Sequence, residues 1–562
     1  MFSPDRQGFF PALWLQLLEN MSPMEKEKWE NLKTREDKIK FIWELSFVQQ
    51  RFQLISNIRH EKNLEGSRTQ REAGNSAFQG GDLSGALVNY SRSVVLAPDK
   101  SEDLALAYAN RATCLQRLGG YDFAIQDIKL ALENKYPAKN RFKLEERRGQ
   151  CLLALKRYKE SRVALEAAVD CLKFSALEEG KKKKFLKDVQ DSMHKIEEGE
   201  KVKDKQKTSA VVTISTVDKF KEKILKVESC SKMFPAISDA VTFKYQKGRG
   251  RYAVANKTIP VGSTILKEKP ITWSLHPDKF GSHCTECMGQ IKAVIPCRTC
   301  CGVSFCSVEC RDIALNTYHR YECGLLGILV ASGLNVYPFL AIRLLARFGF
   351  DYLWNLKDEL SHDETSGAEI ERSSEYKSED FFNAYNLVCH EDKLDSEEFL
   401  LRTFVSTFLL KLLQFNNFFS EQQQQQQQQA VEISEKEKFI GTLLLHFINT
   451  LPQNVHDIAL METADPRRWL NSNQVKSLGA GVYCTAALYN HSCAPCFMRC
   501  NYGKSMVSVT NREIPEGDEI TECYGQMYYT KTLEQRRGDL KKHYKFDCRC
   551  IACVENWPTV KV

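Results

Sequence analysis

The forty residues from 284 to 323 carry nine side chains able to bind a soft metal ion, and eight of them are regularly spaced. They form four spaced pairs: Cys284 and Cys287, Cys297 and Cys300, Cys306 and Cys310, and His319 and Cys323. Two such pairs complete a closed tetrahedral zinc site, whose binding energy folds a segment too small for its own core. We expect interleaved wiring, with the first and third pairs on one zinc and the second and fourth on another. Cys301 breaks the pair spacing and is left out.

A third zinc site is expected near the C-terminus, in the stretch "DCRCIAC". Its three thiols belong to Cys548, Cys550 and Cys553. Three thiolates are one ligand short of a closed site, and Cys493 of "YNHSC" is the expected fourth ligand. A shared zinc would hold the tail beside Asn490 and His491. The alternative is that Cys493 is an ordinary buried thiol.

Composition narrows the class of protein. A chain of 562 residues that is 43% hydrophobic is long enough for several domains. The 21 cysteines occur without an export signal, which favours metal or thiol chemistry over disulfides. No apolar run is long enough to span a bilayer, so we expect a soluble intracellular protein without membrane contact. The net charge of +7 comes largely from a lysine-rich stretch, 181–207, typical of a solvated linker helix and not of a nucleic-acid-binding face.

An internal repeat occupies the N-terminal third. Three small residues each have another small residue twelve positions later, and the pairs are Gly74 and Ala86, Ala112 and Ala124, and Gly149 and Ser161. The period of 37 to 38 residues slightly exceeds that of the tetratricopeptide repeat, which is about 34. Three helix pairs of this kind would stack into a short superhelix with a concave groove.

The groove residues resemble those of tetratricopeptide domains that bind the C-terminal Glu-Glu-Val-Asp of heat-shock chaperones. Such domains hold the terminal carboxylate with five basic and amide side chains, and the matching positions are Arg71, Asn75, Asn110, Lys143 and Arg147. Residues four apart share one helix face, so these side chains can converge on a carboxylate. The resemblance implies a chaperone-tail clamp, and the alternative is a solvated polar face.

The spaced cysteines resemble a MYND finger, including Phe305 before Cys306. Around the finger lie three further motifs in order: "KGRGRYAVA" (247–255), "YNHSC" (489–493) and "GDEITECYG" (517–525). With the cysteine tail, this order is similar to the SMYD family, in which a MYND finger interrupts the SET fold of a protein lysine methyltransferase. MYND fingers mostly bind proline-rich peptides, so the resemblance also implies a proline-rich partner.

The resemblance implies methyl transfer from S-adenosylmethionine to a lysine side chain, with three zinc ions. This reaction is an in-line displacement that needs a neutral amine in a cavity without water. Tyr524 would be the active-site tyrosine. The cofactor-binding residues would be Lys247, Gly248, Arg249, His390, Asn490, His491, Tyr524, Tyr544 and Phe546. Packing alone is the alternative for Tyr524, for His390 and for Phe546.

Two features depart from the family. Cys496 replaces the customary Asn in "NHSCAPC", and Cys484 stands where Pro is common. Nine residues follow Cys553, too few for the family's C-terminal helical domain. We therefore expect that the N-terminal domain closes the substrate cleft, that substrate selection differs, or that the chain is a shortened form.

The sequence thus predicts an α+β multidomain protein, in which an all-α tetratricopeptide array precedes a β-rich SET fold interrupted by a MYND finger and a helical insertion. The expected ranges are an N-terminal extension (1–66), repeats (67–172), a linker (173–235), the first SET part (236–283), the finger (284–323), the insertion (324–470), the SET core (471–531) and the zinc tail (532–562). The insertion includes an exposed polar loop (362–380) and a disordered glutamine tract (422–429).

The leading functional hypothesis is a lysine methyltransferase that docks chaperones through its repeats. The rival is a catalytically weak adaptor that recruits chaperone and proline-rich partners. "KKKKFLK" (181–187) resembles a nuclear-import signal, so cytoplasmic and nuclear localisation is expected.

Overall fold

A computed structural model describes residues 7–55, 61–206, 226–247, 250–361, 375–416, 418–419, 432–461 and 475–560. Gly248, Arg249, the glutamine tract and part of the expected polar loop (362–374) lie outside these residues. The chain divides into two compact units. The first comprises 1–59, 214–280 and 313–562, and the second comprises 60–213 and 281–312.

Four helices begin the first unit: α1 (Phe10–Asn20), α2 (Pro23–Asn31), α3 (Arg35–Glu44) and α4 (Ser46–Ile55). Local signals set where two of them start. Ser22 and Glu25 form a reciprocal capping box at the start of α2, and the Thr34 side chain accepts from the backbone of Asp37 at the start of α3. These caps satisfy amide groups that would otherwise lack partners at the helix ends.

The second unit contains the predicted array. Its helices are α5 (Leu64–Gln79), α6 (Leu83–Leu96), α7 (Glu102–Arg117), α8 (Tyr121–Glu133), α9 (Arg141–Ala154), α10 (Tyr158–Leu172) and α11 (Glu179–Gln206). The first six form three antiparallel pairs, and α11 packs on the last pair through Val189 and Ile196. A Cβ atom at Gly74 would lie 2.6 Å from the ring of Tyr90, and one at Gly149 would lie 2.6 Å from Leu165. The repeated small residues therefore sit where paired helices cross, which confirms the predicted array.

A buried ion pair joins the array to the start of the finger within the second unit. Arg111 and Asp127 are both 0% exposed, and the guanidinium donates to both carboxylate oxygens at 2.7 Å. Arg111 also donates to the carbonyl oxygen of Val294 at 2.8 Å. Ala293 packs in the same apolar cluster as Leu115. The array and residues 293–294 thus share one core.

The other α-helices among the described residues are short except for two. They are α12 (Val308–Asn316), α13 (His319–Glu322), α14 (Leu325–Ser332), α15 (Tyr337–Phe348), α16 (Phe350–Asn355), α17 (Lys357–Ser361), α18 (Phe381–Tyr385), α19 (Ser396–Phe415), α20 (Glu435–Asn454), α21 (Leu533–Tyr544) and α22 (Ile551–Val554). The two long helices, α19 and α20, are buried along most of their length and pack against each other and against α3.

Twelve short strands are present among the described residues. They are β1 (Val241–Gln246), β2 (Gly250–Ala255), β3 (Thr264–Glu268), β4 (Thr272–Leu275), β5 (Ile295–Pro296), β6 (Ser304–Phe305), β7 (Val455–Met461), β8 (Val475–Val482), β9 (Asn490–His491), β10 (Phe497–Tyr502), β11 (Ser505–Thr510) and β12 (Glu519–Glu522). Their sheet orders are β1-β2-β12-β9, β10-β11-β3, β4-β8-β7 and β5-β6. Both β4 and β7 pair with β8, so the long insertion leaves and rejoins the same small sheet.

The N-terminal helices pack on the insertion helices in the first unit. The rings of Phe10 and Phe52 lie 5.0 to 5.6 Å from those of Phe404 and Phe408 on α19. The expected extension (1–66) is therefore divided between units, since α1 to α4 lie in the first and α5 begins at Leu64 in the second. No helix in the described ranges is both long and apolar enough to cross a membrane.

We predict that Asp127→Asn lowers the free energy of unfolding of the second unit by about 3 kcal/mol, because it leaves the Arg111 charge buried without an anionic partner. Hydrogen exchange of amides in α7 and α8 measures the change. The double variant Arg111→Met, Asp127→Leu should recover most of the loss. Glu160→Gln, at an exposed ion pair with Arg157, is the control and should change little. Equal exchange rates in Asp127→Asn and wild type would contradict the prediction.

Candidate active site and metal centres

Three groups of four metal-ligating residues occur among the described residues. They are Cys284, Cys287, Cys306 and Cys310; Cys297, Cys300, His319 and Cys323; and Cys493, Cys548, Cys550 and Cys553. Within each group the ligand atoms lie within 4.8 Å of one another. These are the predicted sets, with the predicted interleaved wiring. The structure therefore confirms that the side chains assemble into three four-ligand groups.

The spacing of the sulfur atoms fits zinc. Zinc–sulfur bonds of about 2.3 Å in a tetrahedron place the sulfurs about 3.8 Å apart. The Sγ of Cys306 lies 3.5 Å from that of Cys287 and 3.7 Å from that of Cys310. In the C-terminal group, the Sγ atoms of Cys493 and Cys553 are 3.5 Å apart. All-protein ligation of this kind is typical of structural zinc, and it leaves no open position for catalysis.

Cys301 stands outside the three groups, as predicted. Its Sγ lies 3.5 Å from the carbonyl oxygen of Glu61, within the second unit. This thiol provides a control for metal-binding experiments because it is adjacent to the ligand Cys300 in sequence.

The helix that carries His319 is tied to a strand of the first unit. Arg343 donates to both carboxylate oxygens of Glu322 at 2.7 and 2.8 Å and to the carbonyl oxygen of Trp273 at 2.8 Å. His319 Nδ1 lies 4.0 Å from Glu322. Because all of these groups are buried, the carboxylate and guanidinium orient the ligand from behind, a common arrangement at metal-binding imidazoles.

A parallel pairing of two strands brings the candidate catalytic motifs together. Asn490 of β9 is opposite Thr521 of β12, and His491 is opposite Glu522. The backbone N–H of Tyr524 donates to His491 Nδ1 at 3.0 Å. "YNHSC" and "GDEITECYG" therefore form one site, although about 30 residues separate them.

The Asn490 side chain connects three segments of this site. Its amide nitrogen donates to the carbonyl oxygen of Arg251 at 2.9 Å and to Glu519 Oε1 at 3.1 Å. Burial lowers the pKa of His491 to about 4, so the imidazole is neutral and Nδ1 is free of a proton to accept the Tyr524 N–H. The side chains of both residues thus fix the backbone of the site. Their contact with cofactor remains a prediction.

Four rings converge beside these strands. The Tyr524 ring lies 4.8 Å from that of Tyr544 and 5.1 Å from that of His491, and His491 lies 6.1 Å from Phe546. Tyr544 and Phe546 pack in the same apolar cluster as the four ligating cysteines of the C-terminal group. The zinc tail therefore places its two predicted cofactor-binding aromatics next to Tyr524.

The hydroxyl of Tyr524 has a defined role as a donor. It donates to the carbonyl oxygen of Tyr489 at 2.7 Å. Burial, and next the negative charge of Glu522, raise the pKa of Tyr524 well above its usual range. The phenol therefore stays protonated, and its oxygen retains lone pairs that could accept a hydrogen bond from an amine.

Two sets of supporting residues were not predicted from the sequence. Glu268 of β3 is buried and accepts the backbone N–H groups of Thr485 and Ala486 at 2.8 and 2.9 Å, which holds the turn before "YNHSC". Burial raises the pKa of Glu268 to about 7. Glu522 is buried beside His456, with Nε2 to Oε1 at 3.4 Å, and Arg499, at 3.7 Å. The only sequence signal for Glu268 and Glu522 is the alternation of polar and apolar residues in short strands, which indicates which side chains face inward.

The other predicted cofactor residues differ in placement. Lys247 is exposed at the end of β1. Gly248 and Arg249 lie outside the described residues. His390 is half-buried, and burial lowers its pKa. Three residues later, Lys393 Nζ lies 3.5 Å from the carbonyl oxygen of Lys545, between Tyr544 and Phe546. The structure therefore brings the His390 turn to the segment that carries the two aromatics.

The predicted clamp residues lie on the first helix of each repeat pair. Asn75 on α5 accepts from the amide of Asn110 on α7 at 2.8 Å and from the hydroxyl of Tyr90 at 3.0 Å. Arg147 on α9 donates to Gln116 at 3.1 Å, while Lys143 is exposed. The amides of the first two repeats thus meet directly.

Arg71 has a partner that the sequence analysis did not identify. Its guanidinium lies 3.6 Å from a carboxylate oxygen of Asp103, which also accepts two hydrogen bonds from Arg68 at 3.0 Å. Arg68, with Arg71 next, lowers the pKa of Asp103, so the acid is ionised. Arg71 is therefore a second arginine, in addition to Arg68, that offsets the negative charge of Asp103 next to the groove.

Comparison with known proteins shows which families this chain resembles. The SET domain model matches residues 250–525. "Protein-lysine N-methyltransferase SMYD4" of Pongo abelii is 26% identical over 555 residues, covering 88% of this chain and 67% of its own. "Histone-lysine N-methyltransferase SMYD3" of Mus musculus is 26% identical over 310 residues, covering 55% of this chain and 59% of its own. The chain is therefore similar to SET and MYND domain proteins along most of its length, and the stretch matched by the SET domain model contains the candidate site.

The chain spans about two thirds of the length of the SMYD4 proteins that it matches. A solved structure of the first TPR of Spaghetti (RPAP3) bound to an HSP90 peptide covers 24% of this chain and 94% of its own, at 20% identity and a TM-score of 0.20. A score of 0.20 supports no conclusion, so the repeat fold is assigned from the helices themselves.

The unusual Cys496 fits the core. Its Sγ accepts from Arg512 at 3.2 Å and lies 3.5 Å from the carbonyl oxygen of Glu519. Cys484 is buried as well, and its carbonyl oxygen accepts from the Tyr376 hydroxyl at 3.2 Å. Both departures from the family therefore lie in the scaffold under the site.

We predict that the purified protein contains three zinc ions per chain, measured by elemental analysis. Cys550→Ser should reduce this number to two, because three remaining thiolates do not close a structural site. The matched control, Cys301→Ser, should retain three. Loss of a zinc ion from Cys301→Ser, or its retention in Cys550→Ser, would contradict the ligand assignment.

Proposed function

We propose that this chain is a protein-lysine N-methyltransferase that uses S-adenosylmethionine as the methyl donor. The observation that supports the proposal most strongly is the pairing of β9 with β12, which places Tyr524 against His491 and beside two further aromatic rings. The relatives that match most of the chain are named as protein-lysine N-methyltransferases. The proposed substrate is a lysine side chain of another protein.

The donor set fits such a cofactor, since aromatic rings can stack on adenine and strand backbone groups can bind its edge. When bound, S-adenosylmethionine would supply an electrophilic methyl group. Tyr544 and Phe546 would pack on the adenine ring, and Lys247 and Arg249 would contact the methionine end. His390 would be a further cofactor contact. Tyr524 would face the target amine.

The protein must hold the target lysine neutral and aligned. Free lysine has a pKa of about 10.4, and transfer into an apolar cavity lowers it. The Tyr524 hydroxyl proton is committed to the Tyr489 carbonyl, so the phenol oxygen can only accept from the amine. An amine that donates an N–H group to the phenol oxygen points its lone pair away from that oxygen. Correct alignment of the lone pair with the methyl group is a large part of the rate enhancement.

We predict that Tyr524→Phe lowers methyl transfer by about 100-fold, as expected for loss of an oriented polar group in an active site. The assay measures transfer of tritiated methyl groups from S-adenosylmethionine to proteins of a demethylated cell lysate. Tyr529→Phe, which removes a hydroxyl from the neighbouring turn, is the control and should remain active. Equal labelling by Tyr524→Phe and wild type would disprove the catalytic role of this tyrosine.

A second proposal is that the repeats bind the C-terminal tail of a heat-shock chaperone. The contact between Asn75 and Asn110 supports it, because two amides from successive repeats converge where a terminal carboxylate would bind. Lys143 is exposed and Arg147 is one turn further along the same helix. Cation-to-carboxylate hydrogen bonds are the stronger kind, so these side chains would dominate affinity.

We predict that a peptide ending in Glu-Glu-Val-Asp binds the full chain and that its C-terminally amidated form binds at least about tenfold more weakly, because amidation removes a charged acceptor. Calorimetry measures both affinities. Lys143→Glu with Arg147→Glu should abolish binding. The control reverses two exposed charges on α8 and α10, Lys129→Glu with Lys159→Glu, and should bind normally. Equal affinity for the two peptide forms would eliminate the clamp.

The alternative function is an adaptor whose SET fold serves mainly as scaffold. It would bind chaperone through the repeats and a proline-rich partner through the finger, in cytoplasm and nucleus. Zinc-loaded protein that binds cofactor and chaperone peptide but transfers no label would support the adaptor.

A further inference from the structure

The turn that carries His390 is held by a residue from the N-terminal helices. Arg35, at the start of α3, donates through Nε to Glu391 at 2.8 Å and lies 2.7 Å from the same carboxylate through Nη2. Glu391 is adjacent to His390 in sequence. Both charged side chains are 27% exposed, so water screens this ion pair only in part. All of these residues belong to the first unit.

The remaining guanidinium nitrogen has its own partner. Arg35 Nη1 lies 3.1 Å from Nδ1 of His446 on α20. Burial, with the Arg35 charge next, lowers the pKa of His446 to about 3, so the ring is neutral. Its Nε2 lies 2.8 Å from the carbonyl oxygen of Tyr385, which requires the proton on Nε2 and leaves Nδ1 to accept from Arg35. Arg35 thus satisfies two acceptors at once.

The turn 388–391 is also held directly by side chains of α20. Asn449 donates to Glu391 Oε2 at 2.8 Å, and Asn454 donates to the carbonyl oxygen of Val388 at 2.8 Å. The segment 388–391 is therefore held at both ends by amides of one helix, and Arg35 also binds its carboxylate. The imidazole of His446 stacks on the Tyr385 ring at 4.1 Å, which adds packing to the same junction.

The same turn approaches the segment that carries Tyr544 and Phe546, which are predicted to pack on the adenine ring. Lys393 Nζ lies 3.5 Å from the carbonyl oxygen of Lys545. The residues on either side of Lys545 are Tyr544 and Phe546, whose rings contact Tyr524 and His491. A displacement of the 388–393 segment would therefore change the position of His390 and of the tail together.

We propose that Arg35 is a positioning residue for the S-adenosylmethionine site, acting through Glu391 on His390. This inference rests on the proposed function. It assigns the helices before the repeats a role in cofactor binding, in addition to their packing on α19 and α20. Arg35 itself does not touch the cofactor in this arrangement.

The experiment measures S-adenosylmethionine affinity by calorimetry for zinc-loaded full-length chains. Arg35→Met should raise the Kd about tenfold, as expected for loss of a charge-assisted hydrogen bond, and Glu391→Gln should raise it similarly. Arg35→Met with Glu391→Gln should cost little more than either change alone, because the two side chains act through one contact. The control is Lys40→Met, which breaks an exposed ion pair with Glu44 on the same helix and should leave the Kd unchanged.

A kinetic measurement separates positioning from general destabilisation. Arg35→Met should raise the KM for S-adenosylmethionine about tenfold and leave the KM for the protein substrate unchanged. Arg35→Lys, which keeps the charge but loses the planar fork, should lie between wild type and Arg35→Met and covers the case in which Arg35→Met does not fold.

The outcomes distinguish the two proposals. Wild-type chain that does not bind S-adenosylmethionine would overturn the proposed function and this inference with it. Wild-type binding together with an unchanged Kd in folded Arg35→Met would overturn this inference alone. An equal increase in both KM values would show a general structural role and would also overturn it.

Discussion

The parallel pairing of β9 with β12 is the constraint on which the candidate site depends. Two residues on each strand fix the register, and a shift by one residue would turn the side chains of β9 to the opposite face. In the observed register His491 meets the backbone of Tyr524, and Asn490 connects β2 to β12. A two-residue strand has little pairing energy of its own. Glu268 and the C-terminal metal ligands therefore stabilise it from either end.

A second constraint is the way in which the insertion is connected to the SET fold. β4 and β7 pair with opposite edges of β8, so the chain leaves and re-enters the SET fold at one small sheet. Everything between them, including the finger and the long helices, can be added without disturbing the strands of the site, because closing a longer loop costs little additional entropy. The N-terminal helices then cover α19, whose apolar length would otherwise face water.

Features with a local signature could be predicted from the sequence. Pair spacing predicts the ligands of the finger, and small residues twelve apart predict the repeats, because each pattern reflects a contact within a short segment. Cys493 is distant from the C-terminal cysteines and is predicted because their group lacks a fourth ligand. Glu268, His456 and Arg35 could not be predicted, since their partners lie on distant segments and an isolated Glu, His or Arg has no distinctive spacing. The same reason explains why Asp103 was missed beside Arg71. Long-range polar contacts depend on the packing of whole elements, which no local pattern contains.

The four thiolates of the C-terminal group have a consequence for the conditions under which the protein works. Bound zinc would protect these sulfurs, and an oxidant that converted two of them to a disulfide would remove two ligands and release the metal. Cys493 lies two residues from His491, and Cys548 lies two residues from Phe546. The ordering of the candidate site would thereby be coupled to the thiol redox poise of the compartment, and a reducing environment would favour its assembly.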